Sequence, residues 1–291
     1  MSKVYFTNKI TSESLVKIFN ALNIELKGKI GIKISSGELG GHNYLKPELI
    51  KDLVNKLNGT LIECCTAYEG KRTNPTDHYE VIKAHGFDKF NFDLMDENGE
   101  FTLKINNGFH LKENIVGENL KKYQSLVILS HFKGHAMGGF GGALKNMSIG
   151  IASPNGKANI HTAGKVKNPA ILWSNLPKQD EFLESMADAC KSIIEYIGKE
   201  NIVYINVANN LSIDCDCDRD PEKPKMKDIG IFAAIDPVAI DQACYDAIVN
   251  SKDEGKKDLV NRMTTLHAIH TVEASEQLGL GSRKYEIINI D

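Results

Sequence analysis

The feature that most constrains this chain is a repeated alternation of short apolar runs with amphipathic stretches. Lys29-Ile30-Gly31-Ile32-Lys33-Ile34 alternates as a strand does and runs into a polar loop, Ser35 to His42. Pro47 is placed to start a helix through Leu57, Gly59 ends it, and Thr60 to Cys65 is the next strand. Strand, loop, helix and strand in that order are the signature of βαβ units and a parallel sheet. The pattern predicts an α/β fold, a mostly parallel sheet with flanking helices.

The rest of the chain fits the same scheme. Lys3 to Phe6 is a short strand, and Thr11 caps a helix through about Leu22. His78 to His85 reads as a helix ended by Gly86, and Phe92 to Met95 as a short strand. Residues 100–118 read as an antiparallel excursion turning at Asn106-Asn107-Gly108, and Ser125 to Leu129 as a buried strand. Helices are predicted over 180–197, Pro237–Val249 and 259–278, and strands over 201–207, 228–234 and 285–290. At 291 residues the chain is one large unit, 1–291, or two lobes, 1–165 and 166–291.

Polar residues gather where the strands end. Ser130-His131-Phe132-Lys133-Gly134-His135 follows the strand at 125–129 and leads into Gly138-Gly139-Phe140-Gly141-Gly142-Ala143-Leu144-Lys145-Asn146. Gly37-Glu38, Thr66-Ala67-Tyr68, Asp214-Cys215 and Asp236 also follow predicted strands. Ligands of open α/β sheets bind at the carboxyl ends of strands, so all five elements are expected in one cleft. There Gly138, Gly139, Gly141 and Gly142 would let backbone N–H groups approach a cofactor or anion. Lys133 and Arg72, with Lys145 and Lys157, would supply positive charge. His131, His135, Lys145 and Glu38 are the candidate acid–base groups. The glycine run matches neither the dinucleotide fingerprint nor a Walker-A loop.

Asp214-Cys215-Asp216-Cys217-Asp218 sets two thiols among carboxylates. Carboxylates oppose thiolate formation unless a cation is present, so the pattern points to a soft transition metal or an iron–sulfur cluster. Cys215 and Cys217, with His135 and His161, are the expected ligands, and His131 is a further candidate. A redox thiol pair without metal is the other reading of the two cysteines. Cys190 and Cys244 lie in helical patterns and read as packing thiols.

A net charge of −3 gives no support to a nucleic-acid or membrane-surface partner, and no apolar run is long enough to span a bilayer. Met1 to Asn8 shows no signal-peptide pattern, so a cytoplasmic location is expected. Composition fixes no oligomeric state.

Taken together, Ser36-Gly37-Glu38, Thr66-Ala67-Tyr68-Glu69-Gly70-Lys71-Arg72 with His78, the 130–146 segment, Gly156-Lys157 with His161, Asp214 to Cys217, Asp236 to Asp241 and Gly279 to Ser282 resemble the domain of unknown function 362 family. The resemblance implies an α/β fold and a metal or iron–sulfur role. Many relatives carry a ferredoxin segment with CxxCxxCxxxCP spacing after the position of His161. This chain has no CxxC, and carries Asn168 to Asn175 in that region. The glycine-, lysine- and histidine-bearing cleft is more weakly similar to that of the lactate racemase superfamily. The function expected is that of a metal-binding protein acting on a small anionic molecule at a His/Cys/Gly-Lys cleft. The alternative is a metal carrier or electron-transfer accessory without its own substrate.

Overall fold

The computed structural model describes residues 1–291. The chain runs β1 (Ser2–Thr7), α1 (Ser12–Ala21), β2 (Ile30–Lys33), α2 (Pro47–Leu57), β3 (Thr60–Glu63), α3 (Pro75–Ala84), β4 (Phe92–Leu94), β5 (Glu100–Lys104), β6 (Glu113–Gly117) and β7 (Ser125–His131). It continues through β8 (Lys133–His135), β9 (Gly139–Gly141), α4 (Ala143–Ile151), α5 (Pro154–His161), α6 (Gln179–Ile197), β10 (Ile202–Ala208), β11 (Gly230–Ala234), α7 (Pro237–Val249), α8 (Lys257–Thr265), α9 (His270–Gln277) and β12 (Tyr285–Asn289).

Eight strands form one sheet in the order β12-β1-β11-β10-β7-β2-β3-β4, so strands from before and after residue 165 pair side by side. Every neighbouring pair is parallel except the two that involve β11. Two reversals restore direction, so seven strands run one way and β11 alone runs back. Parallel strands are covered on both faces, and period-2 alternation divides the core accordingly. Val127 and Leu129 of β7 pack under α1 and α2 with Leu15, Ile18, Ile50 and Leu53. Leu126 and Ile128 pack on the other face with Leu144, Met147, Cys190, Ile193 and Ile240 of α4, α6 and α7.

Local chemistry sets most element ends. Thr11 caps α1, its hydroxyl accepting from the Ser14 N–H at 3.1 Å. Pro47 opens α2, but the helix closes on Asn58 in the left-handed region (φ 46°) and not on Gly59. α3 begins three residues before the expected His78, because Asn74 caps it and Pro75 starts it. The 100–118 excursion is the antiparallel pair β5–β6. No helix is long and apolar enough to cross a membrane.

The reversal of β11 corrects one expectation. Asp236 follows β11, so it lies at the opposite edge of the sheet from the ends of β2, β3, β7 and β10. There it caps α7 through the N–H groups of Val238 and Ala239 and accepts from Ser2 Oγ at 2.6 Å. It takes no part in the cleft.

Candidate functional site

The carboxyl ends of β2, β3 and β7, with the CxC segment that follows β10, wall a cavity of about 250 Å³. β7 leads directly into the antiparallel hairpin β8–β9, which carries Lys133 and His135. The CxC segment lies in the 209–229 connection between β10 and β11 and is laced to that hairpin, with Gly134 N–H donating to Ser212 O at 2.8 Å. A Cβ at Gly134 would fall 2.2 Å from the Ile213 carbonyl oxygen. Glycine here is therefore what allows the two loops to touch. On the other side, Glu38 N–H donates to Asp216 O at 2.7 Å, tying the loop after β2 to the CxC segment.

Cys215, Cys217 and His135 come together on this wall, with their ligand-capable atoms all within 4.8 Å of one another. Lys145, from the first turns of α4, puts its amine 3.9 Å from Cys215 Sγ, and the Cys217 N–H donates to the same sulfur at 3.3 Å. Cys217 donation, Lys145 and His135 together hold the Cys215 thiol well below its ordinary range against the opposing effect of burial. Cys217, the donor of the pair, is pushed up. The Gly138 and Met137 N–H groups donate to His135 Nδ1 at 2.9 and 3.2 Å, so in a neutral ring the proton resides on Nε2. Burial and the Lys145 charge both press this imidazole toward neutrality.

His131 lines the cavity without a free nitrogen. Its Nδ1 lies 2.8 Å from Asp216 Oδ1 and its Nε2 2.6 Å from Asn209 O. Both ring nitrogens face acceptors of the protein, so neither is turned toward a metal. Lys133 pairs with the other oxygen of Asp216 at 2.8 Å. Burial pushes the Asp216 carboxyl up, but His131 and Lys133 outweigh it and leave the group at about 2. His161 ends α5 at another part of the cavity. Its Nδ1 donates to Lys157 O at 2.7 Å, its ring stacks on Phe182, and burial lowers it to about 3. It stands outside the Cys215–Cys217–His135 cluster.

The remaining expected residues divide in the same way. Arg72 lines the cavity, donating to Glu63 Oε1 at 2.9 Å and to Tyr68 Oη at 2.7 Å. Glu38 does not line it. Its Oε1 accepts the Leu39 and Lys71 N–H groups and its Oε2 faces Arg72 Nε at 3.5 Å, so it holds the loop beneath Arg72. Of the four expected glycines, Gly141 and Gly142 line the cavity and Gly138 and Gly139 do not. Gly139, at φ 76°, turns the hairpin against Ala268. A Cβ at Gly142 would fall 2.5 Å from Asp241 Oδ1. Asp241 in turn accepts the Ala143 and Leu144 N–H groups and so caps α4 from α7.

Sequence reading missed two charged residues of the lining, Lys33 and Glu63. Lys33 is 1% exposed, and its amine donates to Ile34 O and, at 3.0 Å, to Asn146 Oδ1. Burial lowers it to about 7, with the Lys157 charge adding to the effect. Five cationic side chains, Lys33, Arg72, Lys133, Lys145 and Lys157, line the cavity against one carboxylate, Glu63. Arg72 and Lys133 are ion-paired. Lys157 donates to Ala152 O, and neither it nor Lys33 nor Lys145 meets a carboxylate. Cys64, also in the lining, donates to Ile151 O at 3.2 Å, and burial and Asp96 push its thiol up.

Fold and site define an α/β protein with a buried cationic cavity and a Cys–Cys–His cluster that could hold a metal. The chain belongs to the domain of unknown function DUF362 family, whose model matches residues 30–246. No curated protein sequence matches it. Among solved structures, the lactate racemase apoprotein of Thermoanaerobacterium thermosaccharolyticum is similar at 15% identity and TM-score 0.46, over 81% of this chain and 55% of that one. A protein from Thermotoga maritima is similar at 12% identity and TM-score 0.43, over 91% and 58%. The chain thus spans little more than half the length of either.

Proposed function

We propose that this protein is an enzyme that binds a small anionic molecule in the cavity beside a soft metal ion held by Cys215 and Cys217. The observation that carries the reading is the set of three amines, Lys33 and Lys157 buried and Lys145 half-buried, that line one cavity and meet no carboxylate. Lys145 faces the Cys215 sulfur, but a buried ammonium such as that of Lys157, with no carboxylate partner, is costly, and an anion entering the cavity offsets that cost. A cavity of about 250 Å³ suits a small metabolite. A carrier that releases its metal to other proteins would want the ligands at the surface, whereas Cys215 and His135 are buried.

The donor set fits a single soft ion better than a cluster. Only Cys215 and Cys217 stand together, and Cys64 is committed to a backbone carbonyl. His135 completes the set if its ring proton moves from Nε2 to Nδ1 at the expense of the two backbone donors, and metal uptake would release the thiol protons of Cys215 and Cys217. A bound ion would supply Lewis acidity or electron transfer next to the anion. The chain's own groups would orient the anion through Lys145 and Lys157 and hold Arg72 and His131 fixed through Glu63 and Asp216.

The same two donors on His135 Nδ1 favour a second reading. In it, His135 Nε2–H donates to the Cys215 thiolate, and the CxC is a metal-free redox pair. Elemental analysis of anaerobically purified protein separates the two readings. About one transition-metal ion per chain, lost in Cys215→Ser/Cys217→Ser, is the expected result. Metal-free protein whose thiols oxidise reversibly to a disulfide would establish the second reading instead.

A further inference from the structure

Lys33 stands out from the other cavity lysines in how its amine is used. The residue sits at the end of β2, 1% exposed, under α4. Its two polar contacts, Ile34 O and Asn146 Oδ1, are both acceptors. A neutral amine spends both N–H bonds on them and keeps its lone pair. Asn146 is itself fixed, its amide nitrogen donating to Lys33 O, Leu129 O and Ser130 Oγ at 3.1 Å each. Gly150 lies in the last turn of α4, next to its final residue Ile151. A Cβ there would fall 2.5 Å from Lys33 Cε and 2.6 Å from Nζ. The helix thus carries a glycine at the point where a side chain would displace this amine.

We infer that Lys33 is a nucleophilic amine that forms an imine with a carbonyl-bearing anion, a small 2-oxo acid or an aldehyde acid, bound in the cavity. The inference rests on the anion reading of the cavity and narrows its substrate class. The step is balanced within the site. The Nζ lone pair attacks the carbonyl carbon, both protons of the neutral amine pass to the carbonyl oxygen, which leaves as water, and a C=N bond to Nζ replaces C=O. The reverse hydration restores the amine, so no oxidant or reductant is consumed. The environment suits the chemistry. Lysine becomes a nucleophile near neutral pH when it is desolvated or set beside another cation, and burial with the Lys157 charge holds Lys33 at about 7. The other charged or titratable groups around it are Glu63, Cys64 and Lys145. Lys145 and Lys157 remain to hold the carboxylate of the bound acid.

The test uses the full chain with glyoxylate, the smallest 2-oxo acid, and sodium borohydride, which reduces an imine to a stable secondary amine. Peptide mapping by mass spectrometry locates the adduct. Near pH 7.5, labelling of Lys33 is expected to exceed that of any exposed lysine about tenfold or more, because ordinary lysines are almost wholly protonated there. Lys33→Met should lose the adduct. Gly150→Ala, which keeps the lysine but displaces its amine, should lose most of it. Localisation in the wild-type chain decides the matter even if a variant fails to fold. Adduct spread over exposed lysines with Lys33 unmodified, or placed on Lys145 or Lys157, overturns the inference. Oxalate, an anion without an aldehyde or ketone carbon, reports the anion site separately through the melting temperature. If oxalate stabilises the protein and glyoxylate leaves Lys33 unlabelled, the imine step falls while the anion reading stands. If oxalate has no effect and Lys33 is unlabelled, both fall.

Discussion

Asp216 shows how a single residue serves this site. It lies between the two cysteines, yet it faces away from them, and its carboxylate joins His131 and Lys133. All three side chains are almost wholly buried, so Asp216→Asn leaves two donors without their charge partner. The expected loss is about 3–5 kcal/mol, read from urea unfolding. The wild-type pH dependence has a definite sign. The folded carboxyl is at about 2 against an ordinary 3.8. The stability it contributes is therefore full above about pH 4 and lost as pH falls toward 2, a segment that the Asn variant lacks. The thiols differ just as clearly. Cys215 is held toward thiolate, whereas burial raises Cys64 and Cys190 and carries Cys65 up to about 12. Brief iodoacetamide treatment of metal-free protein should alkylate Cys215 well before Cys64, Cys65 or Cys190. Peptide mapping that finds Cys64 first would contradict this electrostatic ordering of the thiols. The cysteines and histidines were visible in the sequence because their residue types suit few other roles in such company. Lys33 and Glu63 were not. In an alternating strand a lysine reads as the solvated face, but a parallel strand has no solvated face. That topological fact was the available signal.

At the scale of elements, legibility followed amphipathicity. α1, α2, α6 and α7 were readable from caps, prolines and apolar periodicity. α4 and α5 were not, because α4 buries seven of its nine residues and shows no polar face. Its approach is also glycine-rich, which reads as loop. Those glycines were expected to cradle a ligand, whereas Gly139 and Gly142 admit other parts of the protein, Ala268 and Asp241. The predicted helix over 259–278 is two helices, α8 and α9, parted near His267 in the left-handed region (φ 50°). The direction of β11 was beyond local pattern, since a 21-residue connection, 209–229, allows either sense. Gly142→Ala tests how α4 is held. Its methyl would displace Asp241 from the Ala143 and Leu144 N–H groups, and overpacking of this kind costs about 1–3 kcal/mol. Lys145 and Asn146 sit in the first turns of α4, so oxalate affinity should fall along with stability. Asn74→Ala, which removes the α3 cap on a more distant helix, should cost about 1 kcal/mol and leave oxalate affinity unchanged.

For the molecule as a whole, the cavity links binding, folding and pH. Lys33 is at about 7 in the folded chain and at an ordinary 10.5 when unfolded. Between those values the unfolded chain holds a proton that the folded chain lacks, so this group makes ligand-free stability rise with pH over that window. An anion beside Lys33 favours the ammonium form and returns the proton to the folded state. Anion binding should therefore take up protons near neutral pH and weaken as pH rises above about 7. Oxalate at a hundredfold over its dissociation constant stabilises the folded state by about 2.7 kcal/mol. For a chain of this length that is about 4 °C in melting temperature. The shift should be larger at pH 6 than at pH 8.5. Calorimetric titration in two buffers of different ionisation enthalpy should show net proton uptake at pH 7.5. Lys157→Met removes a charge that lowers Lys33, so its Lys33 should ionise at higher pH, and proton uptake should shrink even where some oxalate binding survives. An oxalate affinity indifferent to pH between 6 and 8.5, with no proton uptake, would mean that the anion does not meet Lys33. The cavity's lysines would then act as separate structural charges and not as one site.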